Sequence, residues 1–126
     1  MAYLQRINYR PNMDALAEKE RDSLTSKFDP GSTDVIINGD TVRWEIIEEI
    51  EVATAARSGG LAGWFVKNMV MGGERYHVAF YFGREEAVLI NLTLSAAQYV
   101  VSTAAYYLPK PVQYTGPDGI AALSEV

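Results

Sequence analysis

The chain has 126 residues, 48% of them apolar, a formal net charge of −5 and a pI near 4.8. That is one domain's worth of sequence, long enough to build a core without disulfides or a structural metal. The absence of cysteine excludes a disulfide framework, a cysteine nucleophile and thiolate-ligated metal. An acidic chain also repels phosphate backbones unless its cations gather on one face.

Residues 2–9 alternate as a short strand, with Tyr3, Gln5, Ile7 and Tyr9 on one side. Pro11-Asn12 opens a helix expected over residues 13–28. Asn12 is the candidate N-cap, and Asp14 puts a negative charge in the first turn, where the helix dipole favours it. Met13, Leu16, Ala17, Leu24 and Phe28 form a thin apolar face, and Glu18-Lys-Glu-Arg-Asp22 a solvated one. The helix is therefore expected on the surface, within an N-terminal extension of residues 1–33. Asp29-Pro-Gly-Ser32 stops it.

Residues 34–38 read as a strand that enters a tight turn at Asn38-Gly39-Asp40, because Asn and Gly tolerate the positive φ such a turn demands. Val42, Trp44 and Ile46 alternate with Arg43 and Glu45; Ile50 and Val52 continue, with Glu49 and Glu51 opposite. A single strand over residues 41–55 would be overlong, so two strands with a break at 47–49 are expected. Arg57-Ser-Gly-Gly-Leu-Ala-Gly63 is a loop. Residues 64–71 fit a strand or a short helix, and Val66, Val70 and the following Gly72-Gly73 favour the strand. Residues 75–82 are the clearest strand, with Tyr76, Val78, Phe80 and Phe82 on one face and His77, Ala79 and Tyr81 on the other. Gly83-Arg-Glu-Glu86 turns the chain, and residues 87–92 pair back with Val88, Ile90 and Leu92 toward the core.

Ser95-Ala-Ala-Gln98 has the pattern of a capping box, in which the serine hydroxyl and the glutamine side chain each satisfy a free amide. Ala97, Val100, Val101, Ala104 and Leu108 form the apolar stripe of the helix that follows, and Pro109 and Pro111 end it. Residues 109–126 read as a loosely packed tail, with a turn at Gly116-Pro-Asp-Gly119 and a short helical piece from Ile120 to Leu123. The expected architecture is one α+β domain over residues 1–126. It has an N-terminal surface helix, an antiparallel β-sheet or partly open β-barrel, and a C-terminal packing helix; residues 34–108 form the β-rich core and its capping helix.

The hairpin leading into Val42-Arg-Trp44-Glu-Ile46, the strand Ile50-Glu-Val52, the late hairpin from Tyr76 to Leu92 and the helix opening at Leu94-Ser95 resemble the pleckstrin-homology-like superfold in its small bacterial form. The resemblance covers a little over half the chain and is one of pattern. It implies a β-barrel with one open end plugged by the helix, and a ligand that is a lipid head group, a peptide or another protein. A lipid head group needs clustered Lys and Arg, whereas Arg43, Arg57, Lys67, Arg75 and Arg84 stand singly.

No motif carries catalysis, a metal or a cofactor. His77 is the only histidine, and a lone histidine in a strand is ordinarily a sheet residue. Glu45, Glu48, Glu49 and Glu51 could supply oxygen ligands to Ca²⁺ or Mg²⁺, but they lack the Asp, Asn and Gly of a metal loop and fit a solvated sheet face better. Gly59-Gly-Leu-Ala-Gly63 lacks the Gly-Lys-Ser/Thr ending of a phosphate loop. Leu61, Trp64 and Phe65, next to glycines, belong either in the core or to a contact surface for a partner. The expectation is a non-enzymatic protein-binding or assembly module, self-associating as a homodimer. The alternative is a small enzyme or ligand carrier with a pocket between helix and sheet lined by Trp44, His77, Tyr81 and Tyr99. Met1-Ala-Tyr-Leu-Gln-Arg6 has no apolar run after its basic residue and no stretch reaches transmembrane length, so the expected location is the cytoplasm.

Overall fold

A computed structural model describes residues 2–54, 75–117, 119–121 and 123–125. The chain is α+β. Its elements are β1 (Ala2–Leu4), α1 (Glu18–Thr25), β2 (Phe28–Pro30), β3 (Asp34–Ile37), β4 (Asp40–Arg43), a 3-10 turn (Trp44–Ile46), β5 (Glu49–Thr54), β6 (Tyr76–Phe82), β7 (Glu85–Leu92), α2 (Leu94–Tyr107), β8 (Gln113–Thr115) and β9 (Leu123–Glu125). The large sheet has the order β7-β6-β5-β8-β1-β9, and a second sheet has the order β2-β3-β4. All pairings are antiparallel except β5 with β8. Among the described residues the sheets stay open and do not close into a barrel, and no helix is long and apolar enough to cross a membrane.

Two hairpins form where turn chemistry demands them. Asn38 and Gly39 take φ of 52° and 88° between β3 and β4, and Gly83 takes 61° between β6 and β7. Helix α2 buries Ala96, Ala97, Val100, Val101, Thr103, Ala104 and Ala105. It packs chiefly on β6 and β7, and its small alanines let the helix lie close to the strands. Phe28 of β2 stacks on Phe80 of β6 at 6.4 Å between ring centres and meets Tyr99 of α2 edge-on at 6.2 Å. Trp44 stacks on Tyr107 at 5.6 Å and donates its indole N–H to the Gly31 carbonyl at 2.7 Å.

Several elements depart from the sequence pattern. The first helix is shorter than residues 13–28. Asn12 does accept the Asp14 amide at 2.9 Å, but Ala17 is extended at ψ 155° and the helix begins after it. Phe28 leaves the helix for β2 because its ring is drawn between α2 and the large sheet. Trp44 sits in a 3-10 turn rather than a strand, which swings the indole inward to 1% exposure. The register of β6 and β7 shifts between Tyr76 and Val78, so that Leu89 and Leu92 face the core while Val88 and Ile90 fall on the outer face. The expected inward phase of Val88 and Ile90 is thereby corrected; the added residue of the bulge flips the strand's alternation.

Both chain ends are built in more firmly than their sequences suggest. Residues 1–33 supply Leu4, Leu16, Leu24 and Phe28 to the core, and β1 lies between β8 and β9. The described residues after 108 are no loose tail. Val112, Tyr114 and Ile120 are buried, β8 is an interior strand, and residues 123–125 form a strand in place of the expected helical piece. Gly116 fits closely there, since a Cβ would crowd the Tyr114 ring and the Val52 side chain, both at 3.0 Å.

The cap of α2 is Thr93, not Ser95. The Thr93 Oγ1 accepts the Ala96 amide at 3.2 Å and donates to the Glu20 carboxylate of α1. The Gln98 side chain donates instead to the Gly119 carbonyl at 2.8 Å. Thr93→Ala should lower stability by about 1 kcal/mol in a urea titration, and Ser95→Ala should leave the midpoint nearly unmoved; the reverse order would return the cap to Ser95. Val100 and Ala104 have no exposed surface, so Val100→Asp or Ala104→Glu should unfold the protein, because an unpaired buried carboxylate costs several kcal/mol. Native-like melts of both variants would overturn the helix-on-sheet packing.

Candidate functional site

The outer face of β5, β6 and β7 brings together polar and aromatic groups. Register places Glu49, Tyr81 and Glu86 in one row across the strands, Glu51, Ala79 and Val88 in the next, and Ala53 beside His77 after that. Tyr81 donates its hydroxyl to Glu51 Oε1 at 2.5 Å. This bond, partial burial and the negative charges of Glu51, Glu86 and Glu49 push the Tyr81 pKa up from 10.0 to about 12. His77 Nδ1 accepts the Asn91 amide at 3.1 Å. Asn91 itself has φ of 60°, a left-handed conformation that asparagine tolerates. Ile90, next to it, is 56% exposed.

The four glutamates considered as metal ligands go to four different donors. Glu45 pairs with Arg43 at 2.6 Å, Glu48 accepts the Gly83 amide at 2.9 Å, Glu49 accepts the Thr115 hydroxyl at 3.3 Å, and Glu51 accepts Tyr81. Among the described residues no group of three or more His, Cys, Asp or Glu is arranged to hold a metal ion.

The four residues of the expected pocket separate into two pairs. Trp44 and Tyr99 pack on the inside, against Tyr107 and Phe28 respectively. His77 and Tyr81 lie on the outer face, at register positions that alternate with the buried Val78 and Phe80. The space between α2 and the sheets is filled by Phe28, Trp44, Phe80, Val100 and Val101, none more than 1% exposed. Leu61, Trp64 and Phe65, the expected partner contact, lie outside the described residues, as does the strand-or-helix question over residues 64–71.

A second feature was not visible in the sequence. Lys19, Lys27 and Arg75 line one cleft of about 230 Å³ beside the start of α2, together with Glu20, Ser23, Asn91 and Thr93. These cations are up to 56 residues apart in the chain, and only the packing of α1 on the β7–α2 junction brings them together. No family model, no curated protein and no solved structure matches this chain.

Tyr81 gives a direct test of the outer-face geometry. Its folded pKa lies above the unfolded value, so its contribution to stability is complete below pH 10 and is lost as pH rises toward 12. The difference in ultraviolet titration between wild type and Tyr81→Phe should show one tyrosine ionising near 12, and Glu51→Gln should bring that ionisation back toward 10. An ordinary value in the wild type would dismiss the Glu51 bond.

Proposed function

We propose that the protein is a non-enzymatic binding module of the kind its pleckstrin-homology-like sequence pattern implies, and that it pairs with a second copy through the outer face of β5, β6 and β7. The observation that carries this reading is the filled interior. With Trp44 and Phe80 sealed between helix and sheets, recognition falls to the surface. The outer face supports a protein contact because Val88 and the exposed Ile90 of β7 stand beside the polar row of Glu49, Tyr81 and Glu86. Tyrosine combines apolar area with a hydroxyl that tolerates water. A two-fold pairing is the commonest form of self-association. The alternative pocket between helix and sheet does not assemble from its four residues, because His77 and Tyr81 lie on the outer face while Trp44 and Tyr99 pack inside.

Light scattering at high protein concentration should report a dimer, and Ile90→Lys should shift it to monomer. Because Ile90 is exposed, the variant should keep its melting temperature. A wild type that stays strictly monomeric at high concentration would remove self-association. A dimer indifferent to Ile90→Lys would move the contact away from this face.

A further inference from the structure

The cleft between α1 and the β7–α2 junction concentrates charge of the sign the chain as a whole lacks. Three of the 11 basic residues, Lys19, Lys27 and Arg75, line it. Lys27 and Arg75 are half-buried there. Among the described residues these three cations have no ion-pair partner. The one carboxylate in the cleft, that of Glu20, is taken by the Thr93 hydroxyl. The three cations outnumber that single carboxylate, so the cleft keeps an excess of positive charge, and an anion that enters between the cations relieves their repulsion.

We propose that this cleft binds the phosphate group of a small soluble monoester. At pH 7 such a group carries roughly −1.5 to −2 charges and several strong acceptor oxygens. Arg75 offers a planar fork of donors to two of those oxygens, and Lys19 and Lys27 act as point charges on the others. Ser23 and Asn91 add neutral donors at the wall. The volume of about 230 Å³ lies below the range of drug-sized pockets and suits a phosphate on a short carbon stem. The net charge of −5 works against a long polyanion, whose remaining phosphates would face an acidic surface. A compact dianion meets only the local positive field.

The test is calorimetric titration of the full chain with glycerol phosphate, at ionic strength held constant with sodium chloride. Saturable binding at one site is expected. Lys27→Gln combined with Arg75→Gln should weaken it by about tenfold or more, because each change removes a charge-assisted bond, with the circular-dichroism melt unchanged. Lys19→Gln, at an exposed position, should weaken it to a smaller degree and serves if the double variant folds poorly. Absence of saturable binding overturns the proposal, as does unchanged affinity in folded variants or equal affinity for acetate. Co-sedimentation with phosphatidic acid vesicles forms a second arm: association with vesicles without affinity for glycerol phosphate would replace the proposal with a lipid surface.

Discussion

The contact on which the rest of the structure depends is the Phe28 ring between Phe80 and Tyr99. It joins three elements that no backbone ladder connects: the small sheet through β2, the large sheet through β6, and α2. Each sheet is apolar on its inner face and needs a second layer to cover it. Helix α2 covers β6 and β7, and the small sheet completes the enclosure around Val35, Ile37 and Val42. The Trp44–Tyr107 stack repeats the device at the other end of α2. The indole bond to Gly31 matters as much as the ring contact, because an unpaired N–H at 1% exposure would be costly. The free edge of β7 is covered in part by the Asn38 side chain, which donates to the Val88 carbonyl at 2.7 Å. A turn residue chosen for positive φ thus also tethers one sheet to the other and shields an edge that could recruit another chain.

The sequence made legible those features that local chemistry determines. Asn38-Gly39 and Gly83 mark turns because few other residues accept their dihedral angles. Helix α2 shows in its small-residue stripe, and β6 in its aromatic alternation. What stayed hidden depends on contacts between distant residues. The phase of β7 cannot be read from Val88, Ile90 and Leu92, because one added residue at the bulge puts Leu92 inward while Val88 and Ile90 face outward. Trp44 alternates like a strand residue until Tyr107 offers it a stacking partner, 63 positions away by residue number. Ser95 and Thr93 are both competent caps, and the choice goes to Thr93 because Glu20 of α1 waits beside it. The last residues carry too few apolar positions to announce a strand, yet β8 fills a gap between β5 and β1 that only the assembled sheet defines.

The same distinction applies to the sites. Alternation alone put Glu49 with Glu51, and His77 with Tyr81, on one face of their own strands; the β5–β6 register that brings Glu51 to Tyr81 and the outward phase of Glu86 were not legible. The pocket drawn from Trp44, His77, Tyr81 and Tyr99 failed as a group because alternation sends His77 and Tyr81 outward while stacking draws Trp44 and Tyr99 inward. The cation-lined cleft had no sequence signal, since Lys19, Lys27 and Arg75 belong to no common period or motif.

Charge is therefore segregated across the molecule even though the chain reads as evenly mixed. On the outer sheet face Glu49 and Glu51 are each tied to a donor, and the cleft at the other end of β7 holds three cations against the single carboxylate of Glu20. A carboxylate already bonded to Tyr81, Thr115 or the Gly83 amide has less to gain from a new ligand, because any partner must first replace a bond that exists. The cleft cations have no such bond to give up. On that physical ground the outer face suits broad contact with another folded surface, where shape and apolar area decide, while the cleft suits a small charged group, where a few strong bonds decide. The fold positions both from one junction: the β7 bulge turns Ile90 outward to the sheet face, and the residues that follow it, Asn91 to Thr93, form the wall of the cleft.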